Sequence, residues 1–334
     1  MHNNNIILFK SPDVIFLNIN EIVRQYESNN FYIIDKNIEK YYNLDIPQNS
    51  KIVISSTEKN KSLIVVSKII EFMLSKNFSR NTSIVGIGGG IVCDITGFVA
   101  SVYKRGVKHI LVPTTLLAMV DAAHGAKTGI NHRGIKNTIG TFKSPEHIFI
   151  DTDILQTLKQ KDILSGIGEL IKISMTSNYE LFNYLSNNYK NYNDNYHYII
   201  NEAIKTKNKI VEADFYDNNM RKVLNFGHTI GHIIELNNKI PHGIAISYGA
   251  VEELRFLQYL FNTNTQLIDN YIDILKRYRI FNKSKISLTI HKEQLSNDKK
   301  ANNGIIDLIN ILEIGKSEVI KVSFNDLARY YGLH

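Results

Sequence analysis

Ser83-Ile84-Val85-Gly86-Ile87-Gly88-Gly89-Gly90-Ile91-Val92-Cys93-Asp94-Ile95-Thr96-Gly97-Phe98 is the stretch that decides the fold. Residues 83–87 form an apolar run of strand length, glycines follow at 88–90, and helical periodicity continues over about 91–103. A strand, a glycine turn and a helix in succession bring backbone N–H groups and the positive helix end against a pyrophosphate. The spacing departs from a strict G-x-G-x-x-G, and a glycine turn that serves only close packing reads the same way. Asp94, one turn into the helix, suits either the helix N-terminal charge or a cofactor contact.

The same alternation extends to both sides. Short apolar runs at 6–9 and 14–17 read as strands near an edge, and residues 20–26 as a helix. Phe31-Tyr32-Ile33-Ile34-Asp35-Lys36-Asn37 begins as a buried strand and ends polar. Ligands of open α/β sheets bind beyond the carboxyl ends of strands, so Asp35 and Asn37 meet either a cofactor or an ordinary turn. Residues 51–55 are a further strand, and Glu58-Lys59-Asn60-Lys61-Ser62 opens a helix over 62–76. A strand at 108–112 ends at Pro113-Thr114-Thr115, and a helix carries residues 116–120. Then come Asp121, Gly125-Ala126-Lys127-Thr128-Gly129, Asn131, Lys136, Asn137 and Gly140. A buried core does not tolerate that mixture unless its polar groups are paired, so the run is read as a loop, either anion-binding and proton-handling or simply solvated. A last short strand spans 147–151, and beyond Thr152 helical periodicities take over. This pattern predicts an α/β domain with a parallel, Rossmann-like sheet over 1–151 and an all-α domain over 152–334.

Composition agrees with that plan. A length of 334 residues suits two domains, and 43% hydrophobic with 21% charged residues is the balance of a soluble globular protein. No apolar run approaches the roughly 20 residues of a membrane span, and the first residues lack the pattern of a signal peptide. The single cysteine, Cys93, excludes an internal disulfide and fits a reducing cytoplasm. The net charge of +7 is scattered rather than gathered in a basic stripe with aromatics. That argues against nucleic acid and for small anionic metabolites as partners.

In the second half, Asn225-Phe226-Gly227-His228-Thr229-Ile230-Gly231-His232 is followed by Pro241-His242-Gly243. Two histidines four apart share a helix face, and the third sits on a turn that can fold back onto it. Surface histidines also occur at this spacing, but the third histidine and the flanking glycines favour a divalent metal. Glu169, in Gly168-Glu169-Leu170-Ile171-Lys172, is the best candidate for an acidic ligand, although an exposed Glu169–Lys172 pair has the same spacing.

Taken together these motifs resemble the sugar phosphate cyclase family, and within it the 3-dehydroquinate synthases. The resemblance rests on the glycine turn with Asp94-Ile95-Thr96-Gly97-Phe98, on Arg105-Gly106, on Pro113-Thr114-Thr115-Leu116-Leu117-Ala118 and on Lys127-Thr128-Gly129-Ile130-Asn131. It continues through Glu169 to Lys172, Arg221 to His232, His242-Gly243 and Asp298-Lys299-Lys300. It implies an NAD-binding domain, a helical domain holding Zn2+ or Co2+, and an active site between them. Glu169, His228 and His242 match the family's metal ligands. Asp35, Asn37, Glu58, Lys61, Gly89, Gly90, Asp94, Thr114, Thr115, Lys136 and Thr157 match its NAD contacts. Asp121, Lys127, Lys172, Lys207, Asn225 and His232 match catalytic positions, and Asn137, Arg221 and Lys299 or Lys300 match substrate contacts. Arg105 resembles the residue that reaches the substrate phosphate of a neighbouring subunit, which implies a homodimer.

The implied activity is conversion of 3-deoxy-D-arabino-heptulosonate 7-phosphate to 3-dehydroquinate and phosphate. Three departures border the pocket: Ala122-Ala123-His124-Gly125-Ala126 where the family reads Ser-Ser-Val-Gly-Gly, Ile244 in place of an acid, and Asp217 in place of glutamate. Rival readings are a cyclase forming an amino-dehydroquinate, inosose-like or valiolone-like ring, a glycerol dehydrogenase-like alcohol dehydrogenase, and a cofactor-binding protein without turnover.

Overall fold

Burial on both faces marks the central strands. In Asn30–Asp35 every residue is buried, as expected of a parallel strand covered on each side by helices. Side chains alternate between the two layers. Phe31 and Ile33 join Val66, Ile69, Ile95 and Val99 on one face. Tyr32 and Ile34 join Ile19, Ile22, Val85 and Ile87 on the other.

The computed structural model describes residues 11–26, 29–282 and 304–333. It divides into two compact units, Met1–Lys159 and Gln160–His334. In chain order the first runs β1 (Asp13–Phe16), α1 (Ile19–Gln25), β2 (Asn30–Asp35), α2 (Lys36–Tyr41), β3 (Lys51–Ile54), α3 (Leu63–Ser75), β4 (Ser83–Gly88), α4 (Gly90–Val102) and β5 (His109–Pro113). A π-turn at Ala118–Ala122 follows, then β6 (Lys127–His132), β7 (Ile135–Phe142) and β8 (His147–Ile150). Six strands form one parallel sheet in the order β1-β8-β5-β4-β2-β3. The chain passes outward from β2 to β3 and returns on the other side of β2 as β4. Asp35 and the glycine turn therefore end neighbouring strands at the point where the winding reverses, which is where open α/β sheets bind ligands.

The polar run at 125–140 is not a loop. It is an antiparallel hairpin, with Gly129 opposite Gly140 and the turn made by Arg133 (φ 49°) and Gly134 (φ 80°). Two successive positive φ values are the signature of a tight hairpin turn. The strand pattern escapes detection because β7 is largely exposed and carries few apolar residues. The hairpin lies on α4: a Cβ at Gly97 would run into Thr128.

The second unit consists of α5 (Gln160–Ser177), α6 (Tyr179–Asn187), α7 (Tyr196–Ala213), α8 (His228–Asn238), α9 (His242–Phe261) and α10 (Thr265–Arg277). A hairpin, β9 (Ile305–Glu313) with β10 (Lys316–Ser323), and a helix at Phe324–Tyr330 follow. The all-α expectation thus needs one addition, the hairpin, which turns at Gly315 (φ 86°). The helical periodicity beyond Thr152 is also interrupted, by a short 3-10 turn at Tyr192–Asn195. Asn and Asp side chains compete there for the backbone bonds of a helix. The run at 6–9 and Asp298, Lys299 and Lys300 lie outside the described residues.

Helix α5 is buried on nearly all sides from Ser165 to Thr176, the mark of a central helix. Glycines let α9 approach its backbone. A Cβ at Gly243 would fall on the carbonyl oxygen of Ser165, and one at Gly168 on that of Gly243. Gly243→Ala should therefore lower unfolding stability by about 1–3 kcal/mol through overpacking. Gly134→Ala, with nothing within 4 Å of the added methyl, should cost about 1 kcal/mol from its positive φ alone. Urea midpoints of the two variants test that order.

Candidate cofactor and metal sites

In the first unit, helix α4 starts at the glycine turn, and no described side chain caps it at Gly89. Its first N–H groups thus lack the usual side-chain acceptor, which suits an incoming anion. A Cβ at Gly89 would lie 3.2 Å from Thr115 Cγ2, and one at Gly90 would lie 3.0 Å from Ala122 Cβ. Glycine therefore keeps this cradle open. Beside it, Asp35 Oδ1 accepts the Asn37 N–H at 2.6 Å and caps α2. The Thr114 N–H donates to Gly88 O at 3.0 Å, and Thr115 Oγ1 accepts from the Ala118 N–H at 3.2 Å.

Four of the expected residues meet in one polar network. Lys61, buried, has Nζ 2.5 Å from Asp94 Oδ2 and also donates to Asn137 Oδ1. The Asn137 N–H donates to Asn131 Oδ1 at 2.9 Å. Asn131 Nδ2 donates to Glu58 Oε2 at 2.7 Å and to its carbonyl at 3.1 Å. Asn131, quoted from the sequence but given no role there, is thus the residue that joins the hairpin to the turn at Glu58–Asn60. Burial pushes the Asp94 carboxyl up to about 6, against the pull of Lys61. Asp94, Lys127, Gly129, Asn137 and Thr138 line a cavity of about 340 Å³.

Asp121 sits on the π-turn, closed by the Ala123 N–H donating to Ala118 O at 3.0 Å. Such turns recur at functional sites. His124, one of the departures from the family pattern, is buried with Nε2 2.9 Å from Met119 O. Ala126 stands at φ 58°, where the family has glycine. Lys127 and Lys136 lie exposed on the hairpin. Thr157 donates to Ile154 O at 2.9 Å within its own 3-10 turn. Arg105 is exposed on a turn where Lys104, Arg105 and Gly106 all have positive φ.

In the second unit, Glu169 and Lys172 lie one turn apart on α5, only 3% and 1% exposed. Lys172 Nζ binds Glu169 Oε1 and donates to Leu224 O at 2.5 Å. The surface-pair reading is thereby excluded. Glu169 Oε2 is buried with no hydrogen-bond partner among the described residues. Leu224 belongs to the turn Met220–Asn225 that leads into α8, so Lys172 ties α5 to the histidine segment. Glu253 does the same from α9, accepting the Gly227 N–H at 2.7 Å and the Ile309 N–H at 2.6 Å.

His228, His232 and His242 offer ligand atoms that all lie within 4.8 Å of one another. Their ring centroids are 5.2–5.6 Å apart. His228 Nδ1 faces Phe226 O at 3.2 Å, and His242 Nδ1 faces Glu235 Oε2 at 3.1 Å. Burial, then the charge of Lys172, then the other two rings hold the His228 pKa well below the ordinary imidazole value. Neutral rings are the metal-binding form. The gathered group contains His232 in place of the expected Glu169, which is paired instead with Lys172. Three imidazoles gathered this closely are a suitable donor set for zinc or cobalt.

Lys207 and Arg221 are buried, and Asn225 is exposed at the end of its turn. Arg221 donates through Nη1 to Phe215 O at 2.7 Å and through its N–H to Asp214 Oδ2 at 3.1 Å. Burial pushes the Asp214 carboxyl up, but three backbone N–H donors and the Arg221 charge outweigh it and hold it low. Asp217 stands at φ 59°. Ile244 lies in the first turn of α9.

Comparison with known proteins bears on both units. The family model described as 3-dehydroquinate synthase N-terminal matches residues 51–165, and the one described as 3-dehydroquinate synthase C-terminal matches 166–301. A 3-dehydroquinate synthase of Picrophilus torridus is 38% identical over 309 residues, covering 91% of this chain and 90% of that protein. The fold is shared with a 2-deoxy-scyllo-inosose synthase complexed with carbaglucose-6-phosphate, NAD+ and Co2+, at TM-score 0.82, 22% identity and 95% coverage of each chain. It is shared too with a 2-epi-5-epi-valiolone synthase from Streptomyces hygroscopicus with NAD+ and Zn2+ bound, at TM-score 0.83, 20% identity and 96% coverage of each chain.

Two outcomes follow from the first unit. Ala126→Gly should raise unfolding stability by about 1 kcal/mol by relieving a left-handed alanine, read from the denaturant midpoint. Asp94 binds its proton more tightly when folded, about 6 against 3.8. Its contribution is full below the lower value and is lost as pH rises through the upper one. Asp94→Asn should flatten that part of the stability profile of the cofactor-free protein, and a profile unchanged between those two values would contradict the assignment.

Proposed function

The chain belongs to the 3-dehydroquinate synthase family, and from that premise we propose that it converts 3-deoxy-D-arabino-heptulosonate 7-phosphate to 3-dehydroquinate with release of phosphate. The observation that carries the choice of substrate is Arg221, a buried guanidinium in the unit that gathers the histidines. Its planar fork suits a carboxylate, which the inosose-type and valiolone-type substrates lack.

NAD, when bound, would supply a reversible hydride acceptor, and a divalent ion, for which Glu169, His228 and His242 are the proposed ligands, would supply Lewis-acid polarisation of a substrate oxygen. The protein's own groups do the rest. Gly89 and Gly90 leave room for a pyrophosphate at the start of α4, with Asp35, Asn37, Glu58, Lys61, Asp94, Thr114, Thr115, Lys136 and Thr157 as the proposed cofactor contacts. Lys172 holds one oxygen of Glu169 and so presents the other. Lys127, Asn137, Lys207 and Arg221 anchor the anionic ends of the substrate and fix its orientation. Asp121, Asn225 and His232 are assigned to proton handling around the departing phosphate. A ketone next to a C–H acidifies it, so phosphate leaves by β-elimination. Return of the hydride to that ketone, ring opening and an intramolecular aldol step would then close the carbocycle with no net redox change. A homodimer follows if Arg105, on its strained turn, reaches a second copy, and a cytoplasmic setting fits the single cysteine. No described helix is long and apolar enough to cross a membrane.

Phosphate release from the heptulosonate phosphate with catalytic NAD, before and after chelation, tests the assignment. Turnover of only carboxylate-free sugar phosphates, or net accumulation of NADH, would overturn it. Arg221→Lys keeps the charge but loses the fork, and kcat/KM should fall by about 2–3 kcal/mol, on the order of 100-fold. Unchanged kcat/KM would remove the carboxylate clamp.

A further inference from the structure

Glu235 lies seven residues beyond His228 and three beyond His232, so all three project from one side of α8. The helix ends at Lys239 (φ 52°), the chain turns through Pro241, and His242 opens α9. That reversal sets Glu235 Oε2 3.1 Å from His242 Nδ1, with the two side chains 16% and 29% exposed. A neutral imidazole donates from one nitrogen and keeps a lone pair on the other. A carboxylate against Nδ1 fixes the proton there and leaves Nε2 as the donor atom. His228 receives the same treatment from a backbone carbonyl, Phe226 O, at 3.2 Å. The ring of His242, at the junction of two helices, relies on a side chain.

We propose that Glu235 is a positioning residue that holds His242 in its Nε2-ligating tautomer and orientation, and so strengthens divalent-metal binding without touching the ion. The inference rests on the reading of His242 as a metal ligand. Glu235 has a second possible use: no described side chain caps α9 at Pro241, and a carboxylate near its first turn favours the positive helix end. A capping role of that kind lowers the stability of the metal-free protein and leaves metal affinity alone, so the two are separable.

The test is a titration of the full-length, metal-free protein with Co2+, followed by visible absorption and by competition with a chelator, with urea midpoints measured on the metal-free proteins. Glu235→Ala should bind cobalt about 10–100-fold more weakly. Glu235→Gln keeps an oxygen that can accept from Nδ1–H and should recover part of that loss. Cobalt affinity of Glu235→Ala within about twofold of wild type, with only the urea midpoint lowered, overturns the proposal in favour of capping. Should Glu235→Ala not fold, Glu235→Gln decides: a several-fold loss supports the proposal and wild-type affinity overturns it. Wild-type protein that takes up no cobalt overturns the metal reading and this inference with it, whereas normal wild-type uptake with unaltered variants sinks the inference alone.

Discussion

The second unit depends on the contact between the backbones of α5 and α9. Gly168 and Gly243 meet with no room for a methyl group, and the Gly243 N–H donates to Ser165 Oγ at 3.0 Å. The residues next to these glycines in sequence are Glu169 and His242. Close packing here therefore governs how far a carboxylate on one helix stands from an imidazole on the other. Gly227 extends the constraint: it holds φ 77°, and a Cβ there would lie 2.6 Å from Ala250 N. Lys172 and Glu253 then fasten the segment before α8 by hydrogen bonds to Leu224 O and the Gly227 N–H. Both clamps use buried ionisable groups, which are costly to bury unless fully engaged. The histidines thus project from helices whose starts are pinned by packing and by charge.

The first unit solves a different problem. A parallel sheet offers its ligand only strand ends and helix starts, so specificity has to come from appended loops. Here the appendage is the β6–β7 hairpin, seated on α4 through Gly97 and bound to the turn at Glu58–Asn60 through Asn131. Lys61 bridges Asp94 of α4 and Asn137 of the hairpin. A single buried ammonium therefore couples the glycine-turn helix to the element that lines the neighbouring cavity.

What the sequence made legible divides along physical lines. Continuous apolar runs with β-branched residues exposed β2, β4 and β5, because burial on both faces leaves an unambiguous pattern. The helices α3 and α4 were visible from their periodicity, and beyond Thr152 the helical character of the second unit was legible, its individual helices less so. The hairpin was hidden, since its exposed strand has neither alternation nor a strong apolar content and its turn signal is one glycine. In the second unit β9 left a faint apolar trace, whereas its partner β10, mostly polar and exposed, left none. Residue types and spacing pointed to Glu169, the histidines and a Glu169–Lys172 pair, but not to the burial of that pair or to the bond from Lys172 to Leu224 O. Nor did spacing reveal Asn131 or Glu235, whose partners are brought near only by a hairpin and by a helix reversal.

Charge balance gives the proposed metal site its sign. Glu169 and Lys172 cancel, the three imidazoles are uncharged in the ligating form, and Glu235 adds one negative charge at His242. The site is then net negative before an ion arrives and net positive with a divalent one. Burial first, and then the charge of Lys172, discourage protonation of His228, which competes with a metal for the same lone pair. Glu169 has one oxygen committed to Lys172 and one with no partner among the described residues. As a proposed ligand it would use that second oxygen, with the first still held by Lys172. The guanidinium of Arg221 and the ammonium of Lys207 are likewise buried in this unit, where water screens charge little.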